Sequence, residues 1–231
     1  MEKLLGIVGG VSYYSTLDYY KSVNEGYAKA KGEHASAPIM IYSLDFSIVL
    51  ECQRLGDWSR LEKSVRKATE ALVGSGCSAI MLASNTLHKF APSLENDLKI
   101  PVLHIGEAIG QGLVDRKKKR PLLLGTRLTM SEPFLRQRIE ASSGCEVVTP
   151  DREEKALINK IIMNELSKGI IKDQSRSDMQ KLCDKYGSQG VDSFLLACTE
   201  IGMLIQGDED SYLDSLALHA DAGVNHLLMT K

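Results

Sequence analysis

Short apolar runs alternate along the chain with longer stretches in which apolar residues recur every three or four positions. The runs predict strands at LLGIV (4–8), IMIYSL (39–44), AIMLA (79–83), VLHI (102–105), PLLLG (121–125), CEVVT (145–149) and SFLLA (193–197). The amphipathic stretches predict helices near 15–31, 58–74, 106–117, 133–142, 151–168, 175–187 and 217–229. Such alternation marks a parallel sheet joined by crossover helices. Runs without a polar face fit strands covered by helices on both sides. Asp57 or Ser59 can cap the helix at 58–74, and Pro133 suits a first turn. Gly187 and Gly190 are placed to close the helix at 175–187.

The pattern repeats. GCSAIMLASNTL (76–87) aligns with GVDSFLLACTEI (190–201), so that Gly76 falls on Gly190, Leu82 on Leu196 and Ala83 on Ala197. Ser84 then falls on Cys198, and Thr86 lies one place past Thr199. A similar shift lays LLGIVGG on RPLLLGT, matching Gly9 and Gly10 to Gly125 and Thr126. The expected class is α/β, built from two similar parallel-sheet units facing each other across a cleft. Ligands of open α/β sheets sit outside the carboxyl ends of the strands, and Ser84 and Cys198 both occupy such ends.

Composition narrows the partners. Of the 231 residues, 43% are hydrophobic and 25% charged, as in an ordinary globular protein. A formal net charge of −2 argues against nucleic acid, whose phosphates call for a clustered basic surface. The one basic run, Arg116 to Arg120, reads as a solvated helix end with its cations at the negative pole of the dipole. No run reaches the length of a membrane helix, and MEKLLGIVGG enters a strand without a charged leader or cleavage site. The five cysteines show no CxxC pairing and fit free thiols in a reducing cytoplasm.

Among these cysteines, Cys198 opens CTEIG after a buried strand. At a helix N-terminus the dipole and free N–H groups favour a thiolate, so a lowered pKa is expected there. Packing as a small hydrophobe is the other reading; Thr199 and Glu200 beside it favour a reactive thiol. Cys52, Cys77, Cys145 and Cys183 lack that context and read as structural. In GGVSYYST (9–16), two glycines allow close backbone approach, and Ser12, Ser15 or Thr16 can cap the following helix. The loop could cradle an anion, though it is neither a dinucleotide fingerprint nor a phosphate-binding P-loop. SNTLH (84–88) presents hydroxyls and an amide at a strand end, where ordinary turn residues also occur. His88 is open to two readings, a general base or a buried, satisfied ring. Arg54 and Lys168 are candidates for holding a substrate carboxylate.

Together, GIVGGVSYYSTLDYY, YSLDF with ECQRLGDW, SNTLHKFAP, LLGTRLTM and LACTEIG resemble the aspartate/glutamate racemase family, in family order and over nearly the whole chain. The resemblance implies two α/β domains with the site in the cleft between them. These domains would be residues 1–112 with 208–231 returning to them, and residues 113–207. It also implies a homodimer, no pyridoxal phosphate and no metal. The substrate would be a small amino acid or dicarboxylate, with no role for nucleic acid or membrane. The implied chemistry is two-base proton exchange: one group takes the α-proton and another returns a proton to the opposite face. By the resemblance Cys198 is one of these groups, while Asn85, Thr86 and Thr199 bind the α-carboxylate or amino group. Val11, Ser12, Gln53, Arg54 and Glu200 would face the substrate, with Lys168 at the distal carboxylate.

One residue departs from the family pattern. Ser84 stands where the first cysteine belongs, and an alcohol is a far weaker acid than a thiol. Lopsided use of the two enantiomers is therefore expected. A one-cysteine decarboxylase or cis–trans isomerase of a small dicarboxylate is the competing enzyme. A non-catalytic amino-acid binding module is the non-enzymatic alternative.

Overall fold

A computed structural model describes residues 3–205, 207, 208 and 210–229, without the side chain of Thr199. The chain falls into two compact units, residues 1–105 with 219–231 and residues 106–218. Helices α5 (Ile105–Asp115) and α10 (Ser215–Leu228) run across both divisions. The expected divisions, 112/113 and 207/208, fall at other points of the chain.

In the first unit the order is β1 (Leu5–Gly9), α1 (Tyr13–Lys31), β2 (Ile39–Ser43), α2 (Phe46–Leu55), α3 (Trp58–Gly74), β3 (Ala79–Leu82), α4 (Ala91–Asp97) and β4 (Val102–Leu103). Its sheet is parallel, with strand order β2-β1-β3-β4. Every residue of β1 and β3 is buried, as runs without a polar face require. Edge strand β2 exposes Met40 and Ile41 instead. Helix α3 turns Leu61, Val65, Ala68, Thr69 and Leu72 inward at helical spacing. There they join Val8, Ile80, Leu82 and Phe90, each leucine-sized side chain contributing roughly 1.5–3 kcal/mol.

The second unit runs β5 (Pro121–Gly125), α6 (Arg127–Ser131), α7 (Pro133–Ser143), α8 (Arg152–Asn164), α9 (Asp173–Ser188), β6 (Ser193–Ala197) and β7 (Tyr212–Asp214). Strands β5, β6 and β7 are parallel in that order. Ile158, Ile161 and Ile162 of α8 pack with Met179, Leu182 and Tyr186 of α9 over Leu122, Leu124 and Leu196.

Backbone register bears out the repeat within each unit. Leu5 pairs with Ala79 in one sheet and Pro121 with Ser193 in the other, so Gly9 and Ala83 correspond to Gly125 and Ala197. Both glycines serve the same packing. A Cβ on Gly9 would press on Thr16, and one on Gly125 would press on Thr129 and the Ala197 carbonyl.

Several expected elements changed. The strand at 145–149 is reduced to one parallel bridge, Leu122 with Val148. Pro150 follows at once without an N–H, and Asp151 then caps α8 in a capping box with Glu154. The helix expected over 151–168 stops at Asn164. Glu165, hydrogen-bonded by Ser175 at 2.6 Å and Lys172 at 3.2 Å, leads instead into a 3-10 turn, Leu166–Lys168. Gly187 lies inside α9, and the left-handed residue after that helix is Gly190. Unforeseen were α2, α4, α6 and β7. Asp57 does cap α3, accepting the Arg60 N–H, and Pro133 does open α7.

Candidate active site

In the first unit, parallel pairing of β1 with β3 brings the loops after Gly9 and after Leu82 to the same edge of the sheet. Gly10 has φ +87°, and any Cβ there would collide with the Leu44 backbone, so glycine is required. Its N–H donates to Thr16 Oγ1 (2.8 Å), and that hydroxyl donates to the Ser12 carbonyl (3.0 Å). Ser15 Oγ reaches the same carbonyl at 3.0 Å. The loop is thereby tied to the first turn of α1. Val11 and Ser12 are half-buried within it, and the Ser12 hydroxyl makes no capping bond to the helix.

Ser84 lies one residue beyond β3, after Ala83, and is half-buried. Its N–H donates to the Leu82 carbonyl at 2.7 Å, and its carbonyl lies 2.9 Å from His88 Nδ1. Asn85 is half-buried; Thr86, buried, opens a 3-10 turn, Thr86–Phe90. Gln53, half-buried, and Arg54, exposed, lie in the last turn of α2. Arg54 helps line a surface depression of about 480 Å³ with Ser47, Ile48, Leu50 and Glu51.

His88 is resolved in favour of the buried, satisfied ring. It is fully enclosed, and burial first, then His104 and His219, hold its pKa well below the usual imidazole value. A ring that stays neutral with both nitrogens bonded is no general base for bulk acid–base exchange. His104, His219 and Tyr19 around it were missed from sequence.

In the second unit, Cys198 follows β6 at the register position that Ser84 holds past β3, and a 3-10 turn, Thr199–Met203, comes next. The expected lowering of its pKa is reversed. Burial, then the charge of Glu200 and its hydrogen bond, push the thiol well above its ordinary value, and the favourable Glu200 N–H is outweighed. The turn is short, so little dipole accumulates, while Sγ donates to Glu200 Oε2 at 2.9 Å. Lys168 is exposed at the end of its own turn, before Gly169 at φ +70°, and that turn packs against the one following Cys198. The Thr199 side chain lies outside the described residues.

The other four cysteines are buried and unpaired. Burial raises the Cys77 pKa and takes Cys183 up to about 12, as befits packing groups. Among the described residues, no group of His, Cys, Asp and Glu could hold a metal ion, and no helix is long and apolar enough to cross a membrane.

Residues 8–223 match the family model described as Asp/Glu/Hydantoin racemase. The broad specificity amino-acid racemase RacX of Bacillus subtilis (strain 168) is 24% identical over 230 residues, 97% of this chain and 98% of that protein. Among solved structures, a proposed Asp/Glu racemase from Yersinia pestis superposes with a TM-score of 0.92 at 35% identity. The match covers 98% of this chain and 100% of the other. An aspartate racemase homologue from Pyrococcus horikoshii OT3 gives 0.84 at 30% identity, over 99% and 100%.

Proposed function

Because the chain belongs to the Asp/Glu/hydantoin racemase family and is thus an isomerase of the racemase type, we propose that it exchanges the α-proton of aspartate- or glutamate-like amino acids between Cys198 and Ser84 without a cofactor. The observation carrying this reading is the register equivalence of the two strand ends, one bearing a hydroxyl and the other a thiol bonded to a carboxylate. In the favoured direction Cys198 yields its proton to Glu200, and the thiolate takes the α-proton. The electron pair left on Cα spreads into the substrate carboxylate, and the Ser84 hydroxyl delivers a proton to the opposite face. Solvent then reprotonates Ser84 while Glu200 releases its proton to solvent, which restores the resting thiol and carboxylate. The reverse direction needs a serine alkoxide as base and is slow. Val11, Ser12, Asn85, Thr86 and Thr199 would surround the amino acid head group. Gln53, Arg54 and Lys168 would serve the side-chain carboxylate, Arg54 as a bidentate partner.

A homodimer and a cytoplasmic location complete the proposal. Exposed Tyr13, Leu17 and Tyr20 form an apolar stripe on α1 that supports self-association, and five free thiols suit a reducing compartment. Light scattering on the protein and on Leu17→Glu tests the first point: a dimer that the substitution splits is expected.

One observation favours a second reading, a single-cysteine decarboxylase or isomerase of a dicarboxylate. Among the described residues no side chain hydrogen-bonds the Ser84 hydroxyl to activate it. The deciding experiment is chiral chromatography of L- and D-amino acids incubated with the purified protein alone, beside malonate derivatives and maleate. Interconversion of acidic amino acids is expected; turnover of the dicarboxylates alone would replace the racemase reading with the second.

A further inference from the structure

Behind Ser84 three buried histidines pack ring against ring, His88 against His104 at 4.7 Å between centroids and against His219 at 5.4 Å. The bonds of two of them fix their tautomers. The Ile105 backbone N–H can only donate, and it points at His88 Nε2 over 3.1 Å. Nε2 therefore accepts, Nδ1 carries the ring proton, and that proton is donated to the Ser84 carbonyl at 2.9 Å. The Leu103 carbonyl can only accept, so His219 Nε2 donates to it at 2.7 Å while Nδ1 accepts the Tyr19 hydroxyl at 2.9 Å. The result is a directional set of bonds from α1 and α10 through the β4–α5 junction to the strand end that bears Ser84.

With its N–H on Leu82 and its carbonyl on His88, Ser84 is anchored at both main-chain polar groups. Rotation about χ1 is what remains to aim its hydroxyl. His88 itself cannot trade protons with that hydroxyl, because both ring nitrogens are committed to backbone groups.

We propose that His88 is a positioning residue for Ser84: the donor at Nδ1 holds the Ser84 carbonyl, and so fixes the face of the substrate that the side chain meets. This rests on reading Ser84 as one of the two proton-exchanging groups. The sensitivity is general, since small displacements of a reacting group cost large factors in rate.

Two substitutions separate the ring's functions. His88→Asn places an amide donor near the site of Nδ1 and keeps the bond to Ser84. His88→Gln reaches the site of Nε2, keeps an acceptor for Ile105 and drops the bond to Ser84. In deuterium oxide, α-proton exchange of the poorly used enantiomer should fall tenfold or more in His88→Gln, in kcat rather than KM. It should stay within twofold of wild type in His88→Asn, and exchange from the Cys198 side should hold in both. A parallel fall of both enantiomers, or equal loss in the two variants, overturns the proposal. If His88→Gln does not fold, His88→Asn decides alone: exchange within twofold supports the role, and loss beyond tenfold overturns it.

A second arm needs no turnover. In Ser84→Cys/Cys198→Ser protein, iodoacetamide alkylation of the introduced thiol, located by mass spectrometry, should change severalfold with His88→Gln and not with His88→Asn. Alkylation indifferent to both overturns the positioning role. The expected alkylation pattern in a protein that exchanges no amino acid sinks the racemase reading and leaves the positioning role standing.

Discussion

Cys198 and Glu200, two residues apart on one tight turn, share a proton: the thiol donates to the carboxylate over 2.9 Å. The same carboxylate that can receive the proton also holds it on sulfur in the resting protein. Removing the charge should therefore separate acidity from activity. In Glu200→Gln the midpoint of Cys198 alkylation against pH should move down, since both effects of Glu200's side chain raise it. Racemisation should fall by about 100-fold or more, the usual worth of a positioned proton acceptor. A faster-alkylating thiol in a faster enzyme would refute the assigned role.

Ser84→Cys should raise turnover of the poorly used enantiomer, because a thiol replaces an alcohol at the weak end of the exchange. Chiral chromatography and α-proton exchange in deuterium oxide give the two directions separately. Equal exchange from both enantiomers in the wild-type protein would contradict the asymmetry.

Acid should loosen the first unit. Burial holds His219 down to about 4 from 6.5, and His88 shifts the same way. Between those values the unfolded chain takes up protons that the folded ring refuses, so stability is full above pH 6.5 and falls as pH drops toward 4. For His219 alone the loss from pH 7 to pH 5 is about 2 kcal/mol. Urea unfolding at the two pH values should show a drop that shrinks by about that amount in His219→Gln.

Gly10→Ala should destabilise by at least about 2 kcal/mol, combining a left-handed φ with collision against the Leu44 backbone. Gly32→Ala is the control: φ is +119° but the space is open, so the loss should be the conformational part alone, on the order of 1 kcal/mol. Thermal unfolding of the pair separates collision from conformation.

Lys168→Ala should raise KM for aspartate and glutamate while sparing neutral amino acids, and Arg54→Ala is the matching test on the other unit. Steady-state kinetics on acidic and neutral substrates decides which cation meets the distal carboxylate.

Much of this arrangement was legible in the chain. The repeat that pairs Ser84 with Cys198 is carried by apolar runs whose register survives into the sheets, because a buried parallel strand tolerates no slip. Helix α2 could also have been read: Asp45 caps it through the Ser47 N–H, and Gly56 ends it in a left-handed turn. The bonds of His219 could not. Its ring joins Tyr19 and Leu103, 200 and 116 residues away, and no local pattern encodes such a meeting. The expectation for Cys198 fails for a simpler reason: it weighs the helix dipole and Glu200's polarity, but not burial of the thiol or the negative charge of that carboxylate, which both act against a thiolate.

The discontinuity of the first unit has a consequence for the order of synthesis. The last strand of its sheet is complete in the chain at Leu103, yet the His219 ring that bonds the Leu103 carbonyl is added only 116 residues later. Domains generally fold as units during translation. Here the earlier-made unit has to wait with part of its interior open while the whole of the later one is spelled out.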